Sequence, residues 1–86
     1  MYEIVFTRKA SNSVKLFQKS HKEKLKETLI KLRENPFICP YKKINGETNI
    51  YRIRIGKYRV IYEVNNDRKR IVIVKIDKRN KVYEGW

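Results

Sequence analysis

Arg52, Arg54 and Arg59 are each set between apolar neighbours in two short stretches, Ile50-Tyr51-Arg52-Ile53-Arg54-Ile55 and Tyr58-Arg59-Val60-Ile61-Tyr62-Glu63-Val64. Guanidinium forks pair bidentately with phosphate oxygens, so three of them on one small surface make an anion site. Arg79 and Tyr83 follow in Asp77-Lys78-Arg79-Asn80-Lys81-Val82-Tyr83. The Tyr83 phenol can stack on a base, donate to a phosphate or exchange a proton. The alternative is that Tyr83 packs on the core and Arg79 is solvated. Lys57, Lys78 and Lys81 flank these residues as further phosphate contacts.

The arginines matter only if something brings them together, and the glycine between the two stretches does so. Gly56-Lys57 reads as a two-residue hairpin turn, with glycine where a type II′ turn wants positive φ. Ile55 then faces Tyr58, Arg54 faces Arg59, Ile53 faces Val60 and Tyr51 faces Tyr62. One face becomes Tyr51, Ile53, Ile55, Tyr58, Val60, Tyr62 and Val64, a core face. The other becomes Arg52, Arg54, Arg59, Ile61 and Glu63. Like charges directly opposed across a hairpin cost a few tenths to about 1 kcal/mol. A local rule broken in this way points to a functional site, where a bound anion offsets the repulsion. The competing reading is a solvated strand face whose charge blocks edge-to-edge aggregation.

The remaining elements follow from periodicity. Tyr2 to Phe6 is β-branched and aromatic, a first strand. Thr7 suits a helix N-cap, and Ala10, Val14 and Phe17 recur at helical spacing, which predicts a helix from Arg8 to about Lys19. Ser20 and Glu23 form an S-x-x-E capping box for a second helix, whose Leu25, Leu29 and Leu32 make one apolar stripe. Asn35-Pro36 ends it, because the residue before proline is pushed out of the α region. A loop from Phe37 to about Thr48 leads into the hairpin, a polar turn spans Asn65 to Lys69, and Arg70 to about Asp77 forms a third strand. That strand carries apolar residues at both parities, which reads as central and buried on both faces. The expectation is a single α+β domain over residues 1–86: an N-terminal strand, a two-helix hairpin and a three-stranded antiparallel meander, with the helices on one face of a small twisted sheet.

Charge selects the partner. The 86 residues carry 22 Lys and Arg against 9 Asp and Glu, a formal +13, so the chain is drawn to polyanions. A salt-bridged surface of the thermophilic kind would hold both signs in near balance. Hydrophobic residues at 41% and aromatic residues at 12% suffice for a folded core. One cysteine, Cys39, permits no internal disulfide and reads as a small buried hydrophobe. With His21 the one histidine, there is no His/Cys cluster for a metal and no serine-type triad. The longest plain apolar run, Ile71 to Val74, is far short of a membrane span, and Met1 to Lys9 lacks a signal-peptide core. A cytoplasmic protein without metal or cofactor, and without a membrane partner, is expected.

The stretch Tyr51 to Val64, Y-R-I-R-I-G-K-Y-R-V-I-Y-E-V, resembles the signature of the RelE/ParE toxin superfamily, and Ile76 to Tyr83 resembles its closing R…VY segment. The helical hairpin ending in Asn35-Pro36 agrees, so the resemblance covers essentially the whole chain. It implies a toxin of a toxin–antitoxin pair. RelE-type members enter the ribosomal A site and cut mRNA by attack of a ribose 2′-hydroxyl on its own phosphate, leaving a 2′,3′-cyclic phosphate, without metal. The family's basic site falls on Arg52, Arg54, Arg59, Arg79 and Tyr83, with Arg59 and Arg79 as transition-state clamps and Arg79 also a candidate proton donor to the leaving oxygen. Relatives have lysines where this chain has Arg52 and Arg54. Arginine does not give up its proton, so Arg54 is a phosphate anchor rather than a base, and Tyr83 becomes the candidate base or proton shuttle. Nearby cations favour its phenolate.

The resemblance also implies a cognate acidic, RelB-like antitoxin, wrapped over the toxin in a heterotetramer that binds its own operator through the antitoxin. Two alternatives stand beside this reading: a ParE-type gyrase inhibitor on the same fold, and a non-catalytic basic nucleic-acid-binding domain.

Overall fold

In a computed structural model of the chain, residues 1–44, 46 and 48–78 are described. The order is β1 (Glu3–Phe6), α1 (Arg8–Lys15), α2 (Lys19–Glu34), β2 (Tyr41–Lys43), β3 (Ile50–Ile55), β4 (Tyr58–Asn65) and β5 (Arg70–Lys78). The strands form one sheet in the order β1-β5-β4-β3-β2. β1 runs parallel to β5 and every other pairing is antiparallel. The expected α+β architecture is present, and β5 is an interior strand.

The helical hairpin departs from the capping pattern. Thr7 caps α1 as expected: its Oγ1 accepts from the Ala10 amide at 3.1 Å. α1 stops at Lys15, because the Leu16 and Phe17 amides bond back only three residues, to Ser13 and Val14, tightening and ending the helix. Phe17 is then buried, its ring stacked 4.1 Å from that of Tyr58. α2 starts directly after this anchor with Gln18 at the N-cap, lacking a side-chain cap, so Ser20 lies inside the first turn. The expected Ser20/Glu23 capping box is therefore not the start of α2. Burying a phenylalanine gains about 1.5–3 kcal/mol, whereas a good cap adds about 1 kcal/mol, so the aromatic anchor sets the boundary.

Leu25 and Leu32 are buried, Leu29 is half-buried, and Asn35 ends the helix with its amide on the Lys31 carbonyl. These leucines cover the sheet face made by Ile53, Ile55, Tyr58, Val60, Tyr62 and Val64 with Ile71, Ile73 and Ile76. Cys39 is half-buried at the margin of this core. The buried Tyr62 hydroxyl donates to the Pro36 carbonyl at 2.8 Å, tying the end of α2 to the middle of the sheet. Burial, foremost, and the nearby Cys39, Tyr41 and Tyr51 push its phenol above the ordinary tyrosine range.

Two further features differ from expectation. The loop expected from Phe37 to Thr48 contains β2, an edge strand of three exposed residues. And β5 changes parity rather than burying both faces. Ile61 pairs with Lys75 but Tyr62 pairs with Ile73, so Val74 is an extra residue in a β-bulge. Ile71 and Ile73 face the core before the bulge and Ile76 faces it after, while Val72 and Val74 are only half-buried on the opposite face. Thr7 secures the bulge: its amide donates to the Ile73 carbonyl and its hydroxyl donates to the Val74 carbonyl at 2.7 Å.

Candidate phosphate-binding face

The turn fixes the site. Gly56 holds φ +58°, and β3 and β4 pair as Ile55 with Tyr58, Arg54 with Arg59, Ile53 with Val60, and Tyr51 with Tyr62. Alternation then sends Arg52, Arg54 and Arg59 to the face away from the helices. The structure brings these three together.

Across the strands the face is organised in rows. One row reads Lys42, Arg52, Ile61, Lys75 from β2 to β5. The next reads Arg54, Arg59, Asp77. Directly opposed residues in such rows have Cβ atoms about 4.5–5.5 Å apart. Each row therefore contains an opposed cation pair, Lys42 with Arg52 and Arg54 with Arg59. Asp77, across from Arg59 on its other side, is the one acidic residue in these two rows.

Exposure differs sharply within the site. Arg54 and Lys42 are exposed and Arg52 is half-buried, but Arg59 is only 1% exposed, the one charged side chain buried among the described residues. Beside it lies a small apolar cluster of Ile50 and Ile61, with Ile44 and Val74 packed against them. A guanidinium in such surroundings acts through a lower dielectric, so its pull on an approaching anion is several times stronger than that of a solvated cation. An opposed like-charge pair carries a cost that a bound anion would offset.

Other residues singled out in the sequence lie elsewhere. Lys57 is in the β3–β4 turn with its Nζ 5.9 Å from the Tyr58 ring centroid, and it lines a groove on the helix side with Ser13, Leu16 and Gln18. Lys78 ends β5 opposite Tyr58. Arg79, Lys81 and Tyr83 lie outside the described residues. Lys42 and Lys75 were not legible as members of this face. Their signals are the Tyr41-Lys42-Lys43 run, too short and polar to read as a strand, and the bulge that swaps Lys75 onto the open face.

Among the described residues, no group of three or more His, Cys, Asp or Glu residues is placed to hold a metal ion. No helix among them is long and apolar enough to cross a membrane.

Comparison with known proteins bears on both fold and family. Residues 4–83 match the family model described as the ParE toxin of type II toxin-antitoxin system, parDE. The RelE1 protein of Methanocaldococcus jannaschii, described as a toxin, is 38% identical over 69 residues, covering 77% of each chain. Among solved structures, the archaeal RelE-RelB complex from Pyrococcus horikoshii OT3 contains a chain superimposing with a TM-score of 0.79. That chain is 27% identical, and the match covers 93% of this chain and 97% of that one. The isolated E. coli RelE toxin gives a TM-score of 0.81 at 25% identity, covering 99% of this chain and 94% of that one.

Proposed function

This chain belongs to the RelE/ParE toxin superfamily of type II toxin–antitoxin systems, and from that premise we propose that it is a RelE-type, ribosome-dependent endoribonuclease that cuts mRNA in the A site. The observation that carries the reading is the opposed pair of Arg54 and Arg59, with Arg59 buried and Arg52 on the same face. Such a site favours a species more negative than the ground state, as the phosphorane of an RNA cleavage is.

In the proposed reaction the ribose 2′-oxygen forms a bond to the adjacent phosphorus while the bond to the 5′-oxygen breaks. The 2′-hydroxyl proton passes to a base and the leaving 5′-oxygen takes one from an acid, giving a 2′,3′-cyclic phosphate and a free 5′-hydroxyl. Arg54 anchors the phosphate and Arg59 stabilises the added charge. Since Arg59 is 1% exposed, its contact with phosphate requires the surface over it to open when substrate binds. By the superfamily's pattern, Arg79 completes the clamp or protonates the leaving oxygen, and Tyr83 serves as base or proton shuttle. Tyr62 has no part in this: it faces the core and its hydroxyl is committed to Pro36.

A RelB-like acidic antitoxin is the proposed partner, and the complexes of the solved relatives support one. Its carboxylates would offset part of the +13 charge and cover the arginine face. The match to the parDE family model favours a second reading, gyrase inhibition without RNA chemistry. The arginine face together with Arg79 and Tyr83 weighs against it.

Primer extension on programmed ribosomes separates the two, using the native chain, Arg79→Ala, Tyr83→Phe and a naked-RNA control. The expected result is cuts confined to the A-site codon and lost in the Arg79 variant. Folded protein that cuts neither on nor off the ribosome but blocks DNA supercoiling by gyrase would establish the second reading instead.

A further inference from the structure

We propose that Lys42 and Arg52 form a second phosphate subsite, which holds the RNA backbone phosphate next to the one gripped by Arg54 and Arg59. The inference rests on the reading that this face takes RNA, and it adds a residue, Lys42, whose place on the face only the folded sheet reveals.

Three observations carry it. First, β2 pairs with β3 so that Lys42 lies directly opposite Arg52 on the open face, repeating the like-charge pair that Arg54 makes with Arg59 one row away. Each opposed cation pair attracts an anion, and one phosphate cannot sit between both pairs. Second, the rows are set by Arg52 and Arg54, two residues apart on β3. At 3.3–3.4 Å per residue the rows lie roughly 7 Å apart, about the step from one phosphate to the next along a single nucleic acid strand. Third, the space between them is open. A groove of about 310 Å³ is lined by Pro40, Tyr41, Lys42, Arg52, Ile53 and Arg54, beside β2 at the sheet edge.

The competing explanation is that the lysines of β2 merely protect an exposed sheet edge from pairing with another chain. Lys43 provides the internal control. It shares that edge but faces the opposite side of the sheet, across from Tyr51. Edge protection treats Lys42 and Lys43 alike, whereas a phosphate subsite needs only Lys42.

The test is equilibrium binding of a 2′-O-methyl RNA tetranucleotide, which cannot be cut because its nucleophile is capped. Its three linkages are replaced singly by neutral methylphosphonates. For the native chain, neutralising either of two neighbouring linkages should weaken binding. In Lys42→Gln the penalty at one of them should shrink, Arg52 remaining, while the other persists in full, and the dependence of log affinity on log salt should flatten by up to about 0.7, the value for one lost contact to a single strand. Lys43→Gln should keep both penalties.

An equal weakening at every linkage in Lys42→Gln, identical behaviour of the two lysine variants, or no salt-sensitive binding by the native chain would each overturn the subsite. Cleavage on ribosomes is scored separately. Linkage-specific binding without cleavage supports the subsite and sinks the nuclease; cleavage without linkage-specific binding does the reverse.

Discussion

Replacing Arg54 by glutamine should make the free protein more stable and less able to bind phosphate. Arg54 is exposed and sits directly across from the buried Arg59, so the substitution removes a like-charge opposition without leaving a cavity. Opposed like charges cost a few tenths to about 1 kcal/mol. For a domain of this size, each 1 kcal/mol moves the melting temperature by about 4–8 °C. The expected rise is therefore about 1–8 °C at low ionic strength. It should shrink as salt is added, because the screening length falls from about 10 Å at 0.1 M to about 3 Å at 1 M. Inorganic phosphate should reverse the order: it is expected to stabilise the native chain more than Arg54→Gln, which has lost half of the pair. The assay is thermal unfolding followed by circular dichroism, across salt and with phosphate at constant ionic strength. A lower melting temperature for Arg54→Gln at low salt, or an equal response of both proteins to phosphate, would mean that this face is not strained when empty.

Three other outcomes follow from the scaffold. Tyr62→Phe strands the Pro36 carbonyl in a buried place and should destabilise the fold by about 1–3 kcal/mol, read by urea denaturation. Because the folded state holds the Tyr62 proton above its ordinary pKa of 10.0, the native chain binds more protons than the unfolded chain above that pH, so its stability must fall as pH rises beyond 10; the slope should be shallower in Tyr62→Phe. Thr7→Val removes both the α1 cap and the bond to the bulge carbonyl of Val74, and should cost about 1–2 kcal/mol, with hydrogen exchange faster in α1 and at the bulge. Gly56→Ala forces a side chain into φ +58° with its Cβ 3.7 Å from the His21 ring, and should lower stability by more than about 0.5 kcal/mol, measured by chemical denaturation.

The hairpin register that sets Arg54 against Arg59 was more legible than the scaffold around it. The Arg54/Arg59 pairing could be read from two facts, a glycine-containing two-residue turn and strict alternation on either side, because hairpin register is decided locally. Features decided at a distance were not legible. β2 has no hydrophobic alternation of its own; Tyr41 is held by the rings of Phe37 and Tyr51 at 5.2 and 5.5 Å, contacts that exist only once the sheet has formed. The bulge at Val74 looked like a strand apolar on both faces, since a parity change and two-sided burial leave the same pattern of residue types. The start of α2 followed the burial of Phe17 against Tyr58, and no count of capping residues contains that contact. Arg59 showed its charge in the sequence but not its burial.

The superfamily explains why such a face persists in a small chain. If the antitoxin is acidic, as proposed, it would supply the counter-charge that lets the toxin tolerate a strained, cation-rich surface until the antitoxin is removed. Under the proposed function, that same strain would become attraction for the RNA backbone.

A single atom of the substrate decides whether the chain is a nuclease of the proposed kind. Ribosomes are programmed with an mRNA whose A-site codon is all ribose, or with one carrying a single 2′-deoxy nucleotide at the cut position. The native chain should cut the first at one linkage, leaving a 2′,3′-cyclic phosphate, and should leave the second intact there. Cutting of the deoxy linkage at a similar rate would rule the proposal out, because the reaction would then not use the 2′-oxygen that the arginine face is proposed to serve.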